Sequence, residues 1–365
     1  MNNINFFNGK ILMCNSVVNA HNVKVSGISV GSENLIESLY KRLWENECEK
    51  VKVWQAALDN DFPIKELVSD YYITEEQAKE TETLIATLSQ KYGLTHIRCF
   101  ARKGTISNNF SSFADFGSYT DLHYFLLFVT KGTERVEHEI QDYVNNHYKS
   151  FKVTAISHSF ENVRNAIAQG NKFFIAAFLD GLDMYYDNET TFDIEIPKLN
   201  PVNTLEKAEK RFHDHMKLAS GFLQSAADCI RNHGYNENGV FLLHQAVEQA
   251  CITLIKVHMG YRIDVHNLSR LLNLCKCFSD KPADLLLSDD SESARLFQIL
   301  RDSYGNARYA EDFKIQDSDA VKILERVSAF VDLAEDVCLE WINALRTKVG
   351  ENVINNVDTV NQEKD

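Results

Sequence analysis

The chain has 365 residues, a formal net charge of −14 and an apolar fraction of 44%. That length exceeds one ordinary core, so two or three domains are expected. The acidic balance excludes a general nucleic-acid binder, general DNA binding included, because such affinity comes from neutralising phosphates. It leaves room for a local basic site that takes one nucleotide or a short RNA.

No uninterrupted apolar run reaches the roughly 18 residues of a membrane helix. The stretch Met1–Ala20 has no h-region, so neither a signal peptide nor a membrane anchor is expected. Eight cysteines stand without framework spacing, most of them in apolar helical contexts. Reduced thiols in a cytoplasmic protein follow.

In chain order, residues 1–74 form an N-terminal extension, mostly helical, with Ser32 to Leu58 as its clearest helix. An α/β domain is expected over 75–196. Its elements are a helix from Glu75 to Tyr92, strands at His96–Arg102 and Asp121–Thr130, a helix from Glu134 to His147, a strand at Phe151–Ser157 and a helix at Asn162–Gln169. The apolar stretch Phe173–Met184 follows. Pro197 and Pro201 disfavour helix before them and mark a linker at 197–203.

Beyond the linker, 204–349 reads as an all-α bundle of five helices. The expected spans are Thr204–Asn232 with Thr204 as N-cap, Asn238–Met259, Val265–Cys277, Ser293–Asp312 and Ser318–Val349. An Asp- and Ser-rich loop runs from Ser279 to Glu292. Gly234 stands where a C-cap belongs. The last helix has Val321, Leu324, Val327, Val331, Ala334 and Cys338 at three- and four-residue steps, which marks one buried stripe. The polar tail, 350–365, reads as disordered. The fold class is therefore α+β, an α/β domain followed by a helical bundle.

Two runs in the bundle carry a family resemblance. Phe241-Leu-Leu-His-Gln-Ala-Val-Glu-Gln-Ala250 and Leu300-Arg-Asp-Ser-Tyr-Gly-Asn-Ala-Arg-Tyr309, with His266-Asn-Leu-Ser-Arg-Leu-Leu272 between them, resemble the second, fourth and third helices of the HEPN family. RNA-cleaving members of that family use an Arg and a His four to six residues later. The resemblance implies that the His handles protons and the Arg steadies the phosphate charge. Arg301 and Asp302 match the Arg and the polar residue after it, but Gly305, Asn306 and Ala307 occupy the His positions. Asn306 hydrogen-bonds but carries no proton at neutral pH. Cleavage by this constellation is therefore not expected.

The remaining groups suit a ligand. Arg301 and Arg308 stand seven residues apart on one helix face. Together with Tyr304, Asn306, Tyr309 and Glu248 they could hold a phosphate and stack a base. Alternatively, the arginines lock the bundle by pairing with acids such as Glu248 or Glu311. The resemblance further implies a homodimer through the C-terminal bundle, and Gly305 and Ala307 permit close packing there. No cofactor is expected beyond a bound nucleotide.

The α/β part resembles a minimal nucleotidyltransferase domain in its element order and in Phe178-Leu-Asp-Gly-Leu-Asp-Met-Tyr-Tyr186. Active members hold two metals on three acids, for in-line phosphoryl transfer. Here the first strand runs into Arg102-Lys103-Gly104-Thr105 rather than Gly-Ser. Tyr119 takes one acid position, and Phe151–Ser157 contains no acid. Asp121 alone remains, as a vestige or a strand-start residue, so the domain reads as degenerate and without metal.

Elsewhere, His213 and His215 point about 200° apart on a helix and cannot share a metal. Cys275 and Cys277 lack a second ligand pair for zinc. His244 reads as a packed histidine. The function expected is non-catalytic nucleotide or RNA sensing, in a stress, defence or toxin–antitoxin-like setting. The alternatives are a ribonuclease of altered site, its His supplied by His266 or His244, and a protein-interaction scaffold with both sites inactive.

Overall fold

The computed structural model describes residues 75–362 apart from 112, 113, 134, 188, 189, 191–194, 288 and 289, and over 105–120 and 351–362 it describes the backbone alone. The helix expected at Ser32–Leu58 and the rest of residues 1–74 lie outside the described residues. The chain divides into two compact units. Of the described residues, one takes those up to His158 together with those of 183–190; the other takes Ser159–Leu182 together with those from 195 onward.

The first unit is α/β. Its elements are α1 (Glu75–Lys91), β1 (Leu94–Ser111), β2 (Ala114–Thr130), α2 (Glu137–His147), β3 (Lys152–Ser159) and, after an excursion into the other unit, β4 (Leu182–Tyr186). The strands form one sheet in the order β3-β2-β1-β4. Leu84, Ile85 and Leu88 on α1 and Ile140 and Val144 on α2 meet Leu94, Ile97, Tyr124, Leu126 and Phe128 from the sheet in one buried core. The spacing of those helix residues makes the apolar stripe that the sheet covers.

β1 and β2 are longer than their apolar residues suggest. They pair antiparallel from Leu94↔Thr130 to Asn109↔Gly117, with Ser111↔Ala114 beyond a shift of register. Once the apolar half sets the register, the polar half continues the ladder through backbone hydrogen bonds alone. Asp121 therefore stands inside a strand, opposite Thr105, and not at its start.

The second unit is helical. It comprises α3 (Phe160–Ala168), α4 (Lys172–Leu179), α5 (Pro201–His233), α6 (Asn236–His258), α7 (Leu268–Cys275), α8 (Lys281–Leu286), α9 (Ser291–Tyr309) and α10 (Asp317–Gln362). Residues 159–182, read from the sequence with the α/β domain, cluster with the helices instead. The N-cap of α5 is Asn200, whose side chain accepts from the Val202 and Asn203 amides at 2.9 and 3.2 Å. Thr204 lies a turn inside, because Pro201 suits the first helical position and Asn200 is free to cap it. Gly234 closes α5 in the left-handed conformation, at φ 67°. The loop expected over Ser279–Glu292 contains a turn of helix, α8, started by Pro282. The last helix runs on to Gln362, past Val349, through a segment without Gly or Pro beyond Gly350.

Helix α6 is the centre of the bundle. By length and composition it is apolar enough to cross a membrane, with mean hydropathy 1.3, but 67% of that window is buried inside the protein. Leu243, Ala246, Val247, Ala250, Cys251 and Leu254 are all fully buried. A helix apolar on nearly every side is one that other helices enclose.

Candidate functional site

The candidate site stands where α9 crosses α6. Phe241, His244 and Glu248 on α6 are spaced i, i+3 and i+7, so they share one face. Tyr304 and Arg308 on α9 are i and i+4. Ser303, fully buried, donates to the carbonyl oxygens of Leu300 at 2.7 Å and Val240 at 3.3 Å, which pins α9 to α6. Tyr304, the next residue, is thereby set against α6.

The Tyr304 ring is the hub. It lies 5.0 Å from the His244 ring, 5.6 Å from the nearly parallel His266 ring and 6.4 Å from Phe241. The Arg308 guanidinium stands 4.2 Å from the Tyr304 centroid, 5.7 Å from Phe241 and 5.1 Å from Tyr309. Arg308 also donates from Nε to the Tyr304 carbonyl at 2.7 Å.

Beneath the rings lies a buried acid. The Glu248 side chain is 4% exposed, and its Oε1 is 3.0 Å from His266 Nδ1. Its Oε2 has no hydrogen-bond partner, although His244 Nδ1 is 3.9 Å away. His266 is mostly exposed. His244 is the reverse, 1% exposed. Burial, then the nearby His266 and Arg308, lowers its pKa to about 4, so it is neutral at neutral pH.

The structure brings together Tyr304, Arg308 and Glu248 of the expected set, with Tyr309 beside Arg308. It does not bring Arg301 to them: Arg301 pairs with its neighbour Asp302 at 3.3 Å, both about 40% exposed. Asn306 is exposed, and its carbonyl accepts from the Ala310 amide at the helix end. The pairing of Arg308 with Glu248 or Glu311 is not found. Among the described residues Arg308 makes its contacts with ring faces and a carbonyl. His244 is the packed histidine expected, and His266, named in the sequence only as a substitute, is the residue that meets Glu248. The signal that could have found this pair was the buried-face position of a carboxylate on an otherwise apolar helix.

In the α/β unit, Asp121 stands 3.5 Å from Lys152, each 69% exposed. Asp183 of the late segment and Asp187 just beyond it are engaged elsewhere. Asp183 pairs with Arg98, and the buried Asp187 pairs with Lys131 at 2.6 Å. Among the described residues no three His, Cys, Asp or Glu side chains are grouped to hold a metal.

Comparison with known proteins agrees with the helical half. The HEPN domain family model matches residues 212–337. The helical C-terminal region thus matches the HEPN family over 212–337, and a mixed α/β region with a four-stranded sheet precedes it. The match takes in Phe241, His244, Glu248, His266, Tyr304 and Arg308. No curated protein matches the chain. A solved structure similar to it is a nucleotidyltransferase-like protein from Exiguobacterium sibiricum, 9% identical, covering 71% of this chain and 78% of that one with a TM-score of 0.23. A likeness of that size carries no argument about the α/β unit.

Proposed function

We propose that the HEPN domain binds a nucleotide or a short RNA on the face formed by Tyr304, Arg308, Tyr309 and His266, and that the protein acts by sensing that ligand without turning it over, in a stress, defence or toxin–antitoxin-like setting. One observation carries the reading. Arg308 is an exposed cation on a protein of net charge −14, held over aromatic rings and engaged by no carboxylate among the described residues. A guanidinium so placed matches a phosphate, and the Tyr309 ring beside it, 80% exposed, offers a face for a base.

The test is binding of labelled nucleotides and short RNAs, with and without Mg²⁺, to the full chain. Arg308→Ala should weaken binding by at least about tenfold, the loss of a charge-assisted hydrogen bond. Its melting temperature should stay unchanged, because the residue is exposed. A mutant with a lowered melting temperature and undiminished affinity would refute the reading and return Arg308 to a structural role.

A second reading, a ribonuclease of altered site, is favoured by the His266–Glu248 pair. A buried carboxylate on Nδ1 orients an exposed imidazole, as acid–base chemistry requires. RNA cleavage by the wild type that His266→Ala abolishes would replace the sensing proposal. Binding without cleavage would leave sensing in place.

A further inference from the structure

The C-terminal end of α6 gathers positive charge that no ion pair among the described residues uses. Lys172, the first residue of α4, donates to the His258 carbonyl at 2.5 Å and lies 4.9 Å over the Trp341 ring. Arg211 of α5 donates to the Lys256 carbonyl at 3.4 Å. The two cations flank Gly260: a Cβ there would be 3.0 Å from the Lys172 Cβ and 3.1 Å from the nearest Arg211 guanidinium nitrogen. Lys256 places its Nζ 2.9 Å from His215 Nε2.

The charges around them are mostly of the same sign. Burial, then Arg211 and Lys348, lowers the Lys172 pKa to about 8. Burial, then Arg262 and Arg211, lowers that of Lys256, against Asp264 alone. Asp264 is itself bound by Arg262 at 3.3 Å, and Glu209 on α5 by Arg346 at 2.7 Å. Among the described residues no carboxylate is within ion-pair distance of Lys172, Arg211 or Lys256.

The helix end explains part of this. The C-terminal carbonyls of a helix act as about half a negative charge and attract cations. Three cations exceed that by more than two charges. Half-buried cations held together without a counterion are costly. Two buried groups of the same cluster also lack partners, Trp341 Nε1 and His215 Nδ1. An anion with several oxygens would answer both deficits, since Arg and Lys donors suit a phosphoryl group.

We propose that Lys172, Arg211 and Lys256 form an anion site for a phosphoryl group, sharing no residue with the Tyr304–Arg308 face. Calorimetric titration of the full chain at low salt with orthophosphate, pyrophosphate and ADP separates the sources of that group. At least one should bind with unit stoichiometry, weakened at least about tenfold in Arg211→Gln and in Lys256→Gln. Lys322→Gln, at an exposed lysine outside both sites, should leave this binding unchanged. If Arg211→Gln fails to fold by circular dichroism, Lys256→Gln decides. No binding of any of the three at millimolar concentration would overturn the proposal. So would binding that both glutamine variants retain, or ADP binding lost only in Arg308→Ala.

Discussion

Glu248 and His266 meet across eighteen positions of sequence, Oε1 to Nδ1 at 3.0 Å, and leave the other oxygen of a buried carboxylate without a hydrogen bond. Holding an acid in that state costs stability, because a buried polar atom without a partner keeps its desolvation penalty. Glu248→Gln keeps the shape and removes the charge. Its melting temperature should equal or exceed that of the wild type, while ligand binding on the Tyr304 face falls. Thermal melts paired with polarisation titrations check both halves. A clear loss of stability would show that the carboxylate serves the fold.

His244 ties the same face to pH. Its folded pKa, about 4, lies below the ordinary value near 6.5. In that window the unfolded chain binds the extra proton, so stability is full above about pH 6.5 and is lost progressively as pH falls toward 4. Its share of the slope reaches about 1.4 kcal/mol per pH unit. His96 and His258, also lowered to about 4 by burial, act in the same direction. Denaturant unfolding between pH 4 and 7.5 should show His244→Gln with a shallower slope than the wild type. Equal slopes would mean that His244 takes up its proton as readily in the fold as in the unfolded chain.

Gly239 sets how closely α5 and α6 approach. A Cβ there would fall 2.4 Å from Ile230 Cγ1, 2.9 Å from its Cδ1 and 3.3 Å from the Ala226 carbonyl oxygen. Ile230 is buried, and the backbone oxygen has little room to retreat. Gly239→Ala should therefore destabilise the protein by about 1 to 3 kcal/mol despite the better helix propensity of Ala. Equilibrium urea unfolding measures it, and a stabilised variant would contradict the close contact.

Gly305 behaves oppositely within one chain. A Cβ added there meets nothing within 4 Å. For a monomer, Gly305→Ala should stabilise by about 0.5 to 1 kcal/mol through propensity. We propose instead a homodimer pairing through this face of α9, in which the added methyl weakens association. Sedimentation equilibrium of both forms decides: a wild type that stays monomeric at every concentration sinks the dimer.

Much of the helical half was legible in the sequence. The Gly234 cap, the stripe of the last helix from Leu324 to Cys338 and the missing His after Arg301 are local features, readable residue by residue; Val321, expected in that stripe, is 40% exposed, with Ala320 and Ile323 buried in its place. The α5 start was misplaced: Thr204 was expected to cap it and 197–203 to link, whereas Asn200 is the cap and Pro201 the first helical residue. The α/β half was less legible. The polar arms of the β1–β2 hairpin carry no alternation strong enough to announce strands. The segment 159–182 is followed by β4, whose place in the first sheet hid where the intervening helices pack.

By itself, then, the sequence determined the long helices of the second unit, the Gly234 cap and which chemical groups α6 and α9 carry, because caps and periodicity act within a few residues. Only the tertiary structure decided that Glu248 faces His266, that Arg301 turns to Asp302 while Arg308 lies on Tyr304, and that Lys172 joins Arg211 at the end of α6. The meeting of Glu248 with His266 and of Lys172 with Arg211 depends on how separate elements cross. A crossing is set by how whole faces pack, such as the contact of Gly239 with Ile230, and no short stretch of sequence encodes it.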